Sequence, residues 1–284
     1  MRIVHLSDVH VQIDYRAMPL RQMGWRRAVA QLELQTMGRA RLYLEAERCL
    51  RTIAAEIDAL EADHVLLSGD LTCLAVDQEF EGVRRALAPL SSDPRRLSVI
   101  PGNHDRYTRG SAVERRFEHH FGHLLKSDLP GYALETGYPC VRLVGEEIAV
   151  IGLDSSQVAP LPGIVYGTVG RRQLKALSRL LDDPKLKDRF LCVMVHHAPL
   201  NASGVPDSPT HGLRDAKALL SLLGGRPCSV HHGHIHRRYW HKATASRPHL
   251  FGAGSSTSLG DEGYWVLEIA DRKLVSAEVR RPAR

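Results

Sequence analysis

The chain has 284 residues, 43% hydrophobic and 25% charged, the composition of an ordinary globular protein that can build a sizeable core. No stretch approaches the roughly 20 apolar residues of a membrane span, and His5, Asp8 and His10 interrupt any signal-peptide apolar region. Five scattered cysteines, none in a C-x-x-C pair, argue against a disulfide framework or a thiolate metal site, and a reducing cytoplasm is the expected setting.

In chain order, a first strand is expected near Arg2 to Leu6, and Asp8 and His10 follow it. An insertion at about 11–45 comes next. The formal net charge is +6, and Tyr15 to Leu44 alone hold six arginines, no lysine and one acid, a net +5. Within it Trp25, Val29 and Leu32 recur at i, i+4, i+7 among Arg16, Arg21, Arg26 and Arg27, with three methionines nearby, which describes a basic amphipathic element. A helix over Arg39 to Leu60 leads to a strand at His64 to Ser68 that ends in Gly69-Asp70. A helix at Asp77 to Leu90 precedes a strand at Leu97 to Ile100, which ends in Gly102-Asn103-His104-Asp105. Beyond a helix at Ala112 to Leu125 come a strand at Glu147 to Leu153 and a helix at Arg171 to Leu181. The strand Phe190 to Val195 runs into His196-His197. After a helix at Leu213 to Leu223, the strand Cys228 to His231 runs into Gly233-His234-Ile235-His236, and strands at Tyr264 to Ile269 and Lys273 to Val279 finish the chain. Short Val/Ile/Leu runs alternating with helical periods argue for an α/β layered fold. No repeat or linker divides it, so one domain with an insertion is expected.

The Asp and His clusters all follow strand ends, where open α/β sheets form their ligand crevices. Imidazoles mixed with carboxylates suit borderline divalent metals such as Mn, Fe, Zn, Co or Ni. There are too many candidate ligands for one ion. Two ions sharing a carboxylate would use them all, an arrangement suited to displacement at phosphorus.

These motifs, Asp-x-His at 8–10, Gly-Asp at 69–70, Gly-Asn-His-Asp at 102–105, His-His at 196–197 and Gly-His-Ile-His at 233–236, resemble in order and context the calcineurin-like metallophosphoesterases. The resemblance implies a four-layer αββα sandwich of two mixed β-sheets flanked by helices, with the site along one edge. It implies that Asp8, His10 and His236 hold one metal, that Asn103, His196 and His234 hold the other, and that Asp70 bridges. His196 is assigned ahead of His197 because it follows the strand directly and aligns with the first His of the family's His-His-Pro-Pro, which here reads His-His-Ala-Pro. A water shared by the two cations would then be deprotonated at neutral pH and attack phosphorus in line. His104 would donate a proton to the leaving oxygen, oriented by Asp105.

The resemblance also bears on the substrate, a phosphodiester or pyrophosphate. Arg-x-x-Gly-Trp at 21–25, in a basic insertion soon after Asp-x-His, is similar to enzymes that cleave the pyrophosphate of UDP-2,3-diacylglucosamine in lipid A synthesis. Arg21, Trp25, Arg26 and His197 are the corresponding substrate contacts, and peripheral contact with an anionic membrane is expected from the basic amphipathic element. Cyclic-nucleotide or glycerophosphodiester hydrolysis is the alternative, followed by a nuclease, for which the aromatic complement beside the arginines is thin. An inactive binding scaffold is the non-enzymatic alternative, disfavoured because every expected ligand position is filled.

Overall fold

The computed structural model describes residues 1–18, 20–36, 39–161 and 163–283, apart from the side chains of residues 17, 20–22, 33–36 and 39. Eleven strands among the described residues form two sheets: β1 (Arg2–Leu6), β2 (His64–Leu67), β3 (Leu97–Val99), β4 (Cys140–Val144), β5 (Ile148–Gly152), β6 (Phe190–Met194), β7 (Cys228–His232), β8 (Arg238–His241), β9 (His249–Ala253), β10 (Tyr264–Ala270) and β11 (Lys273–Arg280). One sheet has the order β11-β10-β1-β2-β3 and the other β4-β5-β6-β7-β9-β8. Within them β1, β2 and β3 are parallel, as are β5, β6, β7 and β9, while β10, β11, β4 and β8 pair antiparallel.

Strand alternation explains the layering. In β1, Val4 and Leu6 join an outer apolar layer, whereas Ile3 faces a layer shared with the second sheet; in β6, Leu191 and Val193 face outward while Phe190, Cys192 and Met194 face inward. Both faces of these strands are covered, which is why the parallel strands read as near-continuous apolar runs. The outer layers are closed by helices. On the first sheet lie α3 (Ala46–Ala59), whose Leu50, Ile53, Ala54 and Ile57 keep helical spacing, and α4 (Asp77–Ala86), which adds Phe80 and Val83. On the second lie α8 (Arg171–Leu180) and α9 (Ala216–Leu223), through Leu177, Leu180, Leu219 and Leu223. The result is the expected four-layer αββα sandwich. Truncating a residue of the shared layer, such as Leu66, would leave a void costing about 2–5 kcal/mol.

Several local readings are corrected. The expected helix from Arg39 is split into α2 (Arg39–Leu42) and α3 by a turn at residues 43–45, and the one ending at Leu90 into α4 and α5 (Ala88–Ser91). Positive φ at Arg115 divides the helix expected at 112–125 into α6 (Arg109–Val113) and α7 (Arg116–Phe121). Strands β4, β8 and β9 were not anticipated; β4 and β8 are sheet edges, where the apolar pattern is weak.

In the insertion, α1 (Leu20–Thr36) is interrupted by a non-helical Gly24 at φ +58°. Its basic and apolar side chains are not divided simply between solvent and core. Trp25, Val29 and Leu32 are exposed, at 62%, 38% and 61%, while Arg27 is buried and donates to the carbonyls of Leu74 and Ala75. Buried Tyr15, Met18 and Ala30 pack on Cys73, Leu74 and Val76. The carbonyls of the loop after Asp70 demand donors, and Arg27 supplies them, which leaves the apolar stripe outside.

Candidate metal centre

The loops leaving β1, β2, β3, β6 and β7 are stitched together at one end of the sandwich. Asp8 and His10 donate their backbone N–H groups to the carbonyls of Gly69 and Asp70, Gly233 donates to His196, and the N–H of His234 reaches both carboxylate oxygens of Asp8 at 3.1 Å. The packing is too tight for side chains at two glycines. A Cβ on Gly233 would stand 2.0 Å from Asp8 Oδ2, and one on Gly102 2.1 Å from Asp70 Oδ1. Backbone strain is concentrated here as well: Asp8, His10, Asp70, His234 and His236 all have positive φ, between +43° and +72°. That region disfavours L residues by roughly 1–2 kcal/mol each, and such strain gathers where side chains must be aimed at a common point.

Two sets of ligand atoms result. Asp8, His10, Asp70 and His236 offer atoms that all lie within 4.8 Å of one another, and so do Asp70, His196 and His234. Asp70 belongs to both. Asn103 joins the second set, its Oδ1 3.2 Å from His196 Nε2 and 3.0 Å from His234 Nδ1. The structure thus brings together all seven residues expected from the sequence.

The donor chemistry tests whether a cation fits. A carbonyl can only accept, so a ring nitrogen facing one carries the proton. Nδ1 of His196 faces Ser68 O at 2.8 Å, and Nε2 of His234 faces His211 O at 2.9 Å. Their other nitrogens direct lone pairs at Asn103 Oδ1, with Asp70 Oδ2 3.3 Å from His196 Nε2. Four acceptors meet with no donor among them. The metal-free site relieves this by taking up a proton: burial disfavours charge on His196, but Asp70 and Asp8 outweigh it and raise the imidazole to about 9. Burial also opposes ionisation of Asp70 and Asp8, yet His196 and His104 around the first, and His236 beside the second, hold both carboxyls below their ordinary value. Burial keeps His10 at about 3 and His234 well below the usual range, so both remain neutral ligands. A divalent cation in each set satisfies the donors present, and their mixed nitrogen and oxygen character suits a borderline metal.

His104 lies beside the cluster. Its ring packs edge-on to His10 with centroids 4.9 Å apart, and its backbone N–H donates to Asp70 Oδ1 at 2.8 Å. Asp105 does not orient it. Its carboxylate accepts instead from the N–H groups of Leu71, Thr72 and Gly102 and from the Thr72 hydroxyl, clamping the loops that carry Asp70 and Asn103. The carbonyl of Cys73 holds His104 Nδ1 at 2.8 Å, and a main-chain partner of this kind leaves no trace in residue identity.

His197 is also reassigned. It is fully buried, and its ring nitrogens are taken up by Ser155 Oγ at 2.9 Å and Val165 O at 3.0 Å, so it braces His234 rather than meeting substrate. The side chain of Arg21 lies outside the described residues. Trp25 is exposed with Arg26 over its ring at 5.3 Å, and Arg26 donates to the carbonyls of Ala159 and Pro160, which ties the insertion to a second loop. In that loop Ser156 Oγ donates to the carbonyl of Pro101, the residue before the Gly102–Asp105 turn. Ser255 and Ser256 support the Asp8 loop by bonds to Asp8 O and Ser7 N. Tyr43, which sequence reasoning passed over, places its hydroxyl 3.2 Å from His236 Nδ1.

A cavity of about 530 Å³ opens beside His234 and His236. A larger one, about 710 Å³, lies at the opposite end of the second sheet against Phe190, Cys228 and His249, and none of the grouped metal-ligand candidates lines it.

The family model of calcineurin-like phosphoesterases matches residues 1–238. No curated protein matches the sequence. Among solved structures, the chain is similar to a dimetal phosphatase from Danio rerio at 12% identity and a TM-score of 0.62, covering 100% of this chain and 99% of that one. It is similar to a purple acid phosphatase from yellow lupin seeds at 13% identity and a TM-score of 0.60, covering 99% of this chain and 51% of the other. A sulfate thiohydrolase from Thermus thermophilus has 14% identity and a TM-score of 0.50, with 99% and 56% covered. At these identities the likeness is one of fold, and no helix among the described residues is long and apolar enough to cross a membrane. The family match over most of the chain, together with this fold, makes the protein a member of the calcineurin-like phosphoesterases, metal-dependent hydrolases of phosphoesters.

Proposed function

We propose that the chain hydrolyses a phosphodiester or pyrophosphate bond at the crevice where Asp70 is common to two ligand sets. That sharing is the observation that carries the reading: Asp8, His10 and His236 would hold one divalent ion, Asn103, His196 and His234 the other, and Asp70 both. Two bound cations lower the pKa of water from 15.7 toward about 7 and neutralise charge on the phosphoryl oxygens. The remaining work falls to the chain. Because Nδ1 of His104 is committed to Cys73 O, Nε2 is the nitrogen that exchanges protons, and it hands one to the leaving oxygen. Asp105 keeps the Asp70 and Asn103 loops in register, and burial of Asp8 and Asp70 excludes water from their carboxylates.

For the substrate, the leading candidate is a UDP-2,3-diacylglucosamine-like pyrophosphate. Support comes from the Arg-x-x-Gly-Trp segment and from the apolar stripe of Trp25, Val29 and Leu32, which suits acyl chains or an anionic membrane surface at a cytoplasmic face. Cyclic-nucleotide or glycerophosphodiester hydrolysis is the second reading, favoured by the hydrogen-bonding residues Asn201, Ser203, Asp207 and His211 in the cavity beside His234. A panel of UDP-linked acyl sugar, cyclic nucleotide, glycerophosphodiester and single-stranded nucleic acid, assayed with Mn, Fe, Zn, Co and Ni, separates the readings. Turnover of the acyl sugar alone supports the first. Turnover only of small polar diesters overturns it.

A further inference from the structure

The cavity of about 530 Å³ is closed at one end by His234 and His236 and lined elsewhere by Asn201, Asp207, His211 and Arg237. Its walls come from the loop after β6 and from the residue after the Gly-His-Ile-His motif, so they were not part of any recognised cluster. The Asp207 carboxylate is bound to Nδ1 of His211 at 2.7 Å, and the backbone carbonyl of His211 holds His234 Nε2. The wall is therefore anchored to a candidate metal ligand. Arg237 differs from its neighbours: it is exposed, and among the described residues its guanidinium has no ion pair or hydrogen bond. Asp207, the acidic residue of the lining, is held by His211 rather than by Arg237, so the guanidinium stands without a direct partner among the described residues in a pocket that opens on the reacting centre.

We infer that this cavity is the subsite for the substituent that stays on phosphorus, and that it takes a hydroxylated group bearing a further negative charge, such as a nucleoside or polyol phosphate. This rests on the phosphoesterase reading above. A diester presents two substituents to the cations. The leaving one must lie within reach of His104, which packs on His10 and Tyr107 and does not line this cavity; the retained one then has the space beside His234 and His236. The His211–Asp207 pair offers a donor and acceptor edge to hydroxyls, and the planar guanidinium of Arg237 fits a phosphate or carboxylate bidentately. Ala202 and Ile235 are the apolar residues of its lining, too little wall to bury an acyl chain, which belongs on the α1 side.

Three p-nitrophenyl diesters with one leaving group test this: p-nitrophenyl phenyl phosphate, thymidine 5′-(p-nitrophenyl phosphate) and its 3′-phosphorylated form. With metal-loaded wild type, kcat/KM should rise along the series. Arg237→Ala should reduce the ratio between the 3′-phosphorylated and phenyl esters by about tenfold or more, and Arg237→Lys should restore part of it. Calorimetric binding of thymidine 3′,5′-bisphosphate gives a readout independent of turnover, and its affinity should fall in Arg237→Ala by a similar factor. Equal kcat/KM for all three esters, or bisphosphate affinity identical in wild type and Arg237→Ala, overturns the subsite. Failure of every ester with bisphosphate binding still dependent on Arg237 instead counts against the hydrolytic reading and leaves the subsite supported.

Discussion

The main-chain carbonyl of Cys73 accepts a 2.8 Å hydrogen bond from Nδ1 of His104, and so settles which imidazole nitrogen can serve a substrate. His104→Ala should lower kcat by about 10² or more for esters with alkoxide leaving groups, as for loss of a general acid. Esters leaving as p-nitrophenolate should suffer less, because that group departs without a proton. Metal analysis of the variant is the check on the assignment: retained metal is expected, and loss of one ion would make His104 a ligand.

Asp105 should behave as a clamp. It is 1% exposed and its carboxylate serves three backbone N–H groups and one hydroxyl. Asp105→Ala leaves these donors unsatisfied, and chemical denaturation should show a loss of about 3 kcal/mol, on the scale of ~1–3 kcal/mol per orphaned group. A variant as stable as wild type would show that water or loop movement replaces the clamp.

Proton release should accompany metal binding. In the metal-free protein Asp70 and Asp8 overcome the burial penalty and raise His196 to about 9, above its ordinary 6.5. A raised imidazole stabilises the fold fully below pH 6.5 and loses that contribution as pH climbs through about 9. A cation displaces the same proton. Calorimetry at pH 7.5 in buffers of different ionisation enthalpy should therefore register close to one proton released through His196, with metal affinity increasing up to about pH 9. Buffer-independent heats would refute this.

The insertion divides into an inner and an outer face with separable phenotypes. Arg27 is buried against Leu74 and Ala75, so Arg27→Ala should destabilise the fold by about 1–3 kcal/mol through unsatisfied carbonyls. Trp25 is 62% exposed, and Trp25→Asp should leave stability within about 0.5 kcal/mol while weakening co-sedimentation with phosphatidylglycerol vesicles. Equal vesicle binding by wild type and Trp25→Asp would make the insertion a simple cap.

Legibility followed the kind of information each feature needs. Metal ligands require particular side chains at strand ends, so Asp8, His10, Asp70, Asn103, His196, His234 and His236 could be named from residue types and order. The sandwich was accessible because fully covered strands are apolar throughout. His104's orientation rests on the carbonyl of Cys73, a group every residue carries, and was therefore assigned to Asp105, whose carboxylate the folded loops consume. His197 looked available until Ser155 and Val165 took both its nitrogens. The burial of Arg27 was not legible because the carbonyls of Leu74 and Ala75 that draw it inward are main-chain groups that every residue carries. The Arg237 cavity draws on separate segments, between Asn201 and Arg237, with no shared period.

The central claim is that two cations share Asp70, and the number of metal ions bound per chain tests it most directly. Titration of metal-free protein with Mn²⁺, followed by gel filtration and elemental analysis, should give two ions per chain for wild type and one or fewer for Asp70→Asn. One ion per wild-type chain, or two in Asp70→Asn, would contradict it.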